Sequence, residues 1–185
     1  VAYHISNAVT LLSIGEMMDV DLTQSFNTSY TKYLDMIYKK TASLIEASAR
    51  SAAILVNLDE EKYATYGKNL GLAFQMIDDI LDITQDSATL GKPAMLDFVE
   101  GKVTIPYLYL YERVKEKTKI ESLYKKELSE DESLWIKEQL KITKALEDSI
   151  LEAKSIGNSA IEAVKDEENS QTLVQIMKAM IEREF

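Results

Sequence analysis

The chain has 185 residues, no cysteine, and 31 acidic against 21 basic side chains, a net charge of −10. Without cysteine there is neither a disulfide nor a thiolate metal centre, and the acidic balance excludes the broad basic footprint of a nucleic-acid binder and simple electrostatic docking to anionic lipid. No apolar run approaches the ~18 residues of a membrane span.

Taken from the start, Val1-Ala2-Tyr3-His4 has no initiator Met and no charged leader or cleavage site, so the chain reads as a fragment or processed piece beginning inside a helix. That helix is expected over about 3–19. Thr28-Ser29 caps the next one. Leu34, Ile37, Tyr38, Leu44, Ile45, Ala49, Ala52, Ala53 and Val56 recur at helical steps. Asn57-Leu58-Asp59 reads as a turn with a capping Asp. Tyr63, Tyr66, Leu70, Ala73, Ile77, Ile80 and Leu81 then continue the helical period.

Residues 85–101 hold Gly91, Pro93 and Gly101 and read as a loop. The stretch Val103–Tyr111 alternates like a strand, yet Thr104 as cap with Pro106 in the first turn suits a helix. Helix is predicted, because no partner strand is visible. Further helices fit about 131–145, 147–165 and 169–183. Pro93 and Pro106 are the only prolines, so long helices are permitted elsewhere. The expected class is all-α.

The sharpest chemical feature is Phe74-Gln75-Met76-Ile77-Asp78-Asp79-Ile80-Leu81-Asp82. On a helix, Asp78, Asp79 and Asp82 share one side, with Gln75 a turn earlier, while Ile77, Ile80 and Leu81 face a core. Like charges brought together destabilise an isolated helix, and a hard cation relieves them. Mg²⁺ takes oxygen ligands and commonly binds one or two carboxylates plus substrate phosphates. The bland alternative is a solvated acidic face. The apolar flanks argue against it, since a buried carboxylate trio needs a partner.

Downstream, Gly91-Lys92-Pro93 and Gly101-Lys102-Val103-Thr104-Ile105-Pro106 place two lysines after glycines. Lysine is a compact charge that suits phosphate, and glycine allows close backbone approach. Either lysine alone is an ordinary loop residue. Upstream, Lys40-Thr41 interrupts an apolar helical stretch, where a pair of this kind is more often an exposed turn than a ligand site. Carboxylates with Mg²⁺ and several lysines suit a diphosphate. There is no Walker-type loop and no dinucleotide fingerprint. His4 is the only histidine, so a His-based triad or zinc site is disfavoured and His4 reads as an ordinary surface or packing residue.

In these motifs the sequence resembles the trans-type polyprenyl diphosphate synthases. Phe74 to Asp82 matches that family's second aspartate-rich motif. Gly91, Lys92, Pro93, Asp97, Gly101, Lys102, Thr104 and Pro106 match the segment that follows it. Lys40-Thr41 and Gly15-Glu16 with Asp19 match two earlier segments, and Met95-Leu96 replaces the small residues frequent before the motif Asp. Order and spacing agree along residues 13–111.

The resemblance implies an all-α fold of antiparallel helices around a central cavity, of which this chain is the C-terminal part of a single domain. It implies Mg²⁺-dependent condensation of isopentenyl diphosphate with an allylic diphosphate. Asp78 and Asp82 bind Mg²⁺ in that reading, with Asp79 nearby. Lys40, Lys92 and Lys102 contact the allylic diphosphate, Thr41 and Gln75 line the pocket near the cationic carbon, and Phe74 belongs to the substrate-binding motif. Arg183 matches a basic terminus that touches isopentenyl diphosphate. A homodimer through about residues 1–57 also follows from it, and a cytoplasmic location is expected because the absence of cysteine suits a reducing cytosol. The family's first aspartate-rich motif has no match here, so the chain alone is expected not to turn over, and product length is unreadable. Three rivals stand beside this reading: a non-catalytic subunit of a heteromeric synthase, a class I terpene cyclase (whose second metal motif is absent), and a helical module with an acidic face.

Overall fold

The computed structural model describes residues 1–84 and 95–182. Among them the regular structure is helical throughout: α1 (Ala2–Leu22), α2 (Tyr30–Ile37), a π-helical turn (Tyr38–Ala42), α3 (Ser43–Leu55), α4 (Glu60–Thr84), α5 (Leu96–Glu100), α6 (Ile105–Arg113), α7 (Lys117–Leu123), α8 (Glu130–Ile142), α9 (Ala145–Val164) and α10 (Gln171–Ile181). The all-α class is as expected. No helix among the described residues is long and apolar enough to cross a membrane.

Local chemistry accounts for most boundaries. The Asn27 side chain accepts the Ser29 N–H at 3.0 Å, and Ser29 Oγ accepts the Lys32 N–H at 3.3 Å, so polar caps open α2. Asp59 accepts the N–H groups of Glu61 and Lys62 and opens α4, as its place in the turn predicts. Ser129 and Glu132 form a reciprocal capping box at α8. Thr104 holds the extended cap conformation before α6, with Pro106 in the first turn, but its hydroxyl makes no cap hydrogen bond. The strand-like alternation of 103–111 is therefore overridden by proline pre-set for a first turn.

Three expectations need correction. The 85–101 segment is not wholly a loop, because Leu96–Glu100 forms α5; residues 85–94 lie outside the described part. The helix Lys117–Leu123 was not anticipated, since seven residues are too few for a clear period. The helical run through 34–56 is broken at Tyr38–Ala42, where the Ser43 N–H bonds the Tyr38 carbonyl, one residue further back than in an α-helix.

The described residues fall into two compact units. The first takes those of Val1–Met18, Leu34–Gln75 and Glu152–Glu184; the second takes those of Asp19–Tyr33 and Met76–Leu151. In the first unit, Ala42, Ala53, Ala73, Ala160, Val164 and Met177 are almost fully buried. Small residues dominate that interior, so the helices pack closely. In the second, larger side chains fill the core: Phe98, Tyr107, Ile77, Ile80, Ile83, Ile105, Leu110 and Ile120.

Candidate active site

Within the first unit, Lys40 and Thr41 sit on the π-helical turn. Two glycines explain how that turn is held. A Cβ added to Gly15 of α1 would lie 2.4 Å from the Lys40 backbone nitrogen, and one added to Gly71 of α4 would lie 2.5 Å from the Ala42 Cα. Backbone thus packs on backbone, with no side chain between. The turn orients its polar residues: Thr41 Oγ1 donates to Gln75 Oε1 at 2.9 Å, and Lys40 pairs with Glu16 at 3.3 Å. The expected trio Lys40, Thr41 and Gln75 is brought together in this unit, and Glu16, quoted from sequence only as a motif match, is the lysine's ion-pair partner. Lys40-Thr41 is half-buried, against the general tendency of such pairs to lie exposed. His4 is half-buried and packs edge-on to Tyr3, as an ordinary residue.

Within the second unit, the aspartates of the motif separate by burial. Asp79 and Asp82 are 4% and 2% exposed, while Asp78 is exposed, and so is Phe74 in the first unit. The helical period places the three aspartates near one another, but the packing buries two of them. Tyr33 is itself buried, and its hydroxyl donates to Asp79 Oδ2 at 2.6 Å. That length is typical of a hydroxyl bound to a carboxylate and supplies part of the pairing a buried charge needs. Asp82 is tied to α5 twice: its carbonyl accepts the Met95 N–H at 2.8 Å, and its Oδ2 accepts the Asp97 N–H at 3.1 Å. Met95, which stands where the sequence pattern favours a small residue, adopts φ 62° and is buried. Such a backbone is uncommon for a side chain of this size.

The Gly101-Lys102 spacing has its own geometry. Gly101 takes φ 93°, and its N–H and that of Lys102 close back on the Phe98 and Asp97 carbonyls at 3.1 and 2.8 Å. This is a glycine C-cap, which ends α5 and folds the chain back. The reversal brings Lys102 Nζ to 2.9 Å from both Asp97 Oδ1 and Glu100 Oε2. Burial pulls the ammonium toward its neutral form, but the hydrogen bonds to Glu100 and Asp97 outweigh that and hold its pKa above the ordinary lysine value. Lys102 is therefore a charged donor at any physiological pH.

Among the described residues, no three His, Asp or Glu side chains gather as a ready-made metal cage. Asp78 and Asp82, one helical turn apart, nevertheless offer hard oxygen donors. That donor set fits a cation that takes one or two protein carboxylates and completes its shell from substrate and water. Lys92 and Arg183 lie outside the described residues. Sequence reasoning missed Tyr33, because a buried tyrosine in an amphipathic helix carries no signal of the carboxylate it will meet. It quoted Asp97 as a motif match without a role.

Comparison with known proteins agrees with these motifs. The family model described as polyprenyl synthetase matches residues 1–142. A prenyl transferase from Cyanidium caldarium is 40% identical over 190 residues, covering 97% of this chain and 57% of that protein. The crystal structure of octaprenyl pyrophosphate synthase from Helicobacter pylori superposes with a TM-score of 0.90 at 43% identity, covering 98% of this chain and 60% of that one. A polyprenyl synthase from Caulobacter crescentus CB15, complexed with calcium and isoprenyl diphosphate, gives a TM-score of 0.87 at 28% identity, covering 98% of this chain and 58% of that one. The chain thus spans less than two thirds of the length of these relatives. On the match over residues 1–142 and the shared all-α fold, the chain belongs to the polyprenyl synthetase family.

Proposed function

We propose that this chain is part of a prenyltransferase that condenses isopentenyl diphosphate with an allylic diphosphate to give a longer polyprenyl diphosphate. The observation that carries the reading is the burial of Asp79 and Asp82 in the aspartate motif, with Asp82 tied through Asp97 to the charged Lys102. A solvated acidic face does not bury two of its carboxylates.

In this reading Asp78 and Asp82 hold Mg²⁺, and the Tyr33 hydroxyl keeps Asp79 oriented beside them. A divalent cation bound there supplies a Lewis acid that stabilises charge building on a departing diphosphate. Lys40, Lys92 and Lys102 are diphosphate ligands, and Arg183 is a contact to isopentenyl diphosphate. Lys102 presents a fixed positive charge, because Asp97 and Glu100 keep it protonated. Thr41 and Gln75 hold each other's dipoles in place, which suits residues that line a pocket near developing positive charge. Phe74 contributes to substrate binding. A homodimer and a cytoplasmic location belong to the same proposal, as does the expectation that residues outside this chain are needed for turnover.

The test is calorimetric binding of a non-hydrolysable allylic diphosphate analogue, with and without Mg²⁺, to the chain and to its Asp78→Ala/Asp82→Ala double variant. Binding that requires Mg²⁺ and disappears in the folded double variant is expected. Mg²⁺-dependent binding that survives the double substitution would remove these two carboxylates from the proposal.

A further inference from the structure

Tyr124 caps the end of α7 and joins separate stretches of the second unit. Its ring packs edge-on against Phe26, in the chain after α1, at 5.3 Å and against Phe98 of α5 at 6.0 Å. A phenylalanine ring could be held in the same way. The hydroxyl adds something a phenylalanine lacks. Three main-chain carbonyl oxygens converge on it: Gly101 at 2.7 Å, Thr23 at 3.0 Å and Ser25 at 3.1 Å. A phenol has one hydrogen to give, and the shortest approach marks the Gly101 carbonyl as its acceptor.

The Gly101 carbonyl belongs to the peptide that leads into Lys102. A peptide unit is planar, so holding both of its ends fixes the direction in which the next residue leaves. The oxygen end is held by Tyr124 at 2.7 Å, and the amide end by the Asp97 carbonyl, which accepts the Lys102 N–H at 2.8 Å. Lys125 covers the same turn. A Cβ added to Gly101 would come within 2.8 Å of the Lys125 stem, whose ammonium donates to the Thr23 carbonyl at 3.0 Å. The Lys102 side chain is half-buried and tethered to Asp97 and Glu100. A diphosphate that draws the ammonium off those carboxylates leaves the peptide clamp in place, because none of the clamp's bonds involves the ammonium.

We infer that Tyr124 is a positioning residue for Lys102: its hydroxyl pins the Gly101–Lys102 peptide, so that the ammonium is presented to a diphosphate from a fixed place. The inference rests on the proposed function, in which Lys102 is a diphosphate ligand, and adds to it a residue outside the motif positions matched from sequence. Tyr124 touches no substrate and acts through Lys102. A residue of that kind has nothing to act on once the ammonium is gone, whereas a residue that merely supports the fold weakens binding with or without it.

The experiment is a double-mutant cycle on the full chain, read by calorimetric binding of the non-hydrolysable allylic diphosphate analogue with Mg²⁺. Tyr124→Phe keeps the ring, and is expected to fold and to bind the analogue at least threefold more weakly than the parent. Added to Lys102→Ala, the same change is expected to alter affinity less than twofold. A loss below threefold on the parent overturns the inference. So does a loss of twofold or more on the Lys102→Ala background, or a Tyr124→Phe chain that does not fold, since each marks a structural role. Where Lys102→Ala binds too weakly to read, amide hydrogen exchange decides. The Lys102 amide should exchange at least threefold faster in Tyr124→Phe while the amides of α6 keep the parent's protection; an unchanged Lys102 rate, or protection lost in α6 as well, overturns the inference. A folded parent that binds no analogue, or a Lys102→Ala variant that binds it as tightly as the parent, overturns the lysine reading of the proposed function itself, and this inference with it.

Discussion

The two units hold their polar residues by different means. In the first, Lys40 and Thr41 ride on a π-helical turn that Gly15 and Gly71 admit to within backbone contact. The place of the turn's backbone there is set by volume. In the second, Asp79, Asp82, Asp97 and Lys102 are held by hydroxyl, amide and ammonium donors around buried carboxylates. Position there is set by hydrogen bonding and charge. Side chains of similar polarity thus have different weaknesses: the first cluster yields to an added methyl group, the second to a lost donor.

The largest effect should come from the steric side. Gly71→Val places carbon where the Ala42 backbone lies, and backbone cannot step aside as a flexible side chain can. It should cost about 3 kcal/mol or more in denaturant-monitored stability. A cost under about 1 kcal/mol would mean that the π-helical turn is not held by close approach, and the contrast between the units would fail.

Next comes the electrostatic side. Tyr33→Phe removes the donor at 2.6 Å from buried Asp79 without changing the ring. A loss of about 1.5–3 kcal/mol is expected, read by denaturant unfolding at neutral pH. A variant as stable as the parent would show that the carboxylate is oriented by its other neighbours instead.

The smallest effect returns to the first unit and asks whether charge matters there too. Burial and the neighbouring Glu46 push Tyr38 up to about 12, and its hydroxyl donates to Glu46 at 3.0 Å. The folded state therefore keeps a proton that the unfolded chain releases near the ordinary value of about 10. The contribution is fully present below about pH 10 and is lost as pH rises toward 12. Alkaline melting curves should flatten in Tyr38→Phe over that window. An unchanged slope would sharpen the comparison by showing that the Tyr38–Glu46 contact adds no charge-dependent stability to the first unit.

Much of the site was legible before any coordinates. The motif from Phe74 to Asp82 is one stretch of helix, so its residues announce themselves by spacing. The all-α class followed from periodicity and from the scarcity of proline. Asp59 and Ser29 could be placed as caps because a cap bonds within three residues of itself. Other features were closed to this reading. The 85–101 stretch contains α5, whose five residues show no period, and the use of Gly101 as its C-cap emerged only with the helix in view.

The sequence by itself determined the helical class, the order of the motifs and the family they mark, because each depends on residues close along the chain. Only the tertiary structure decided which aspartates are buried, that Tyr33 meets Asp79 across 46 residues, that Lys40 lies on a π-helical turn, and that the Tyr124 hydroxyl meets the Gly101 carbonyl. The reason is physical. Helix period and capping are local, whereas burial and the choice of hydrogen-bond partner are set by which distant surfaces close on one another, and no local spacing records that.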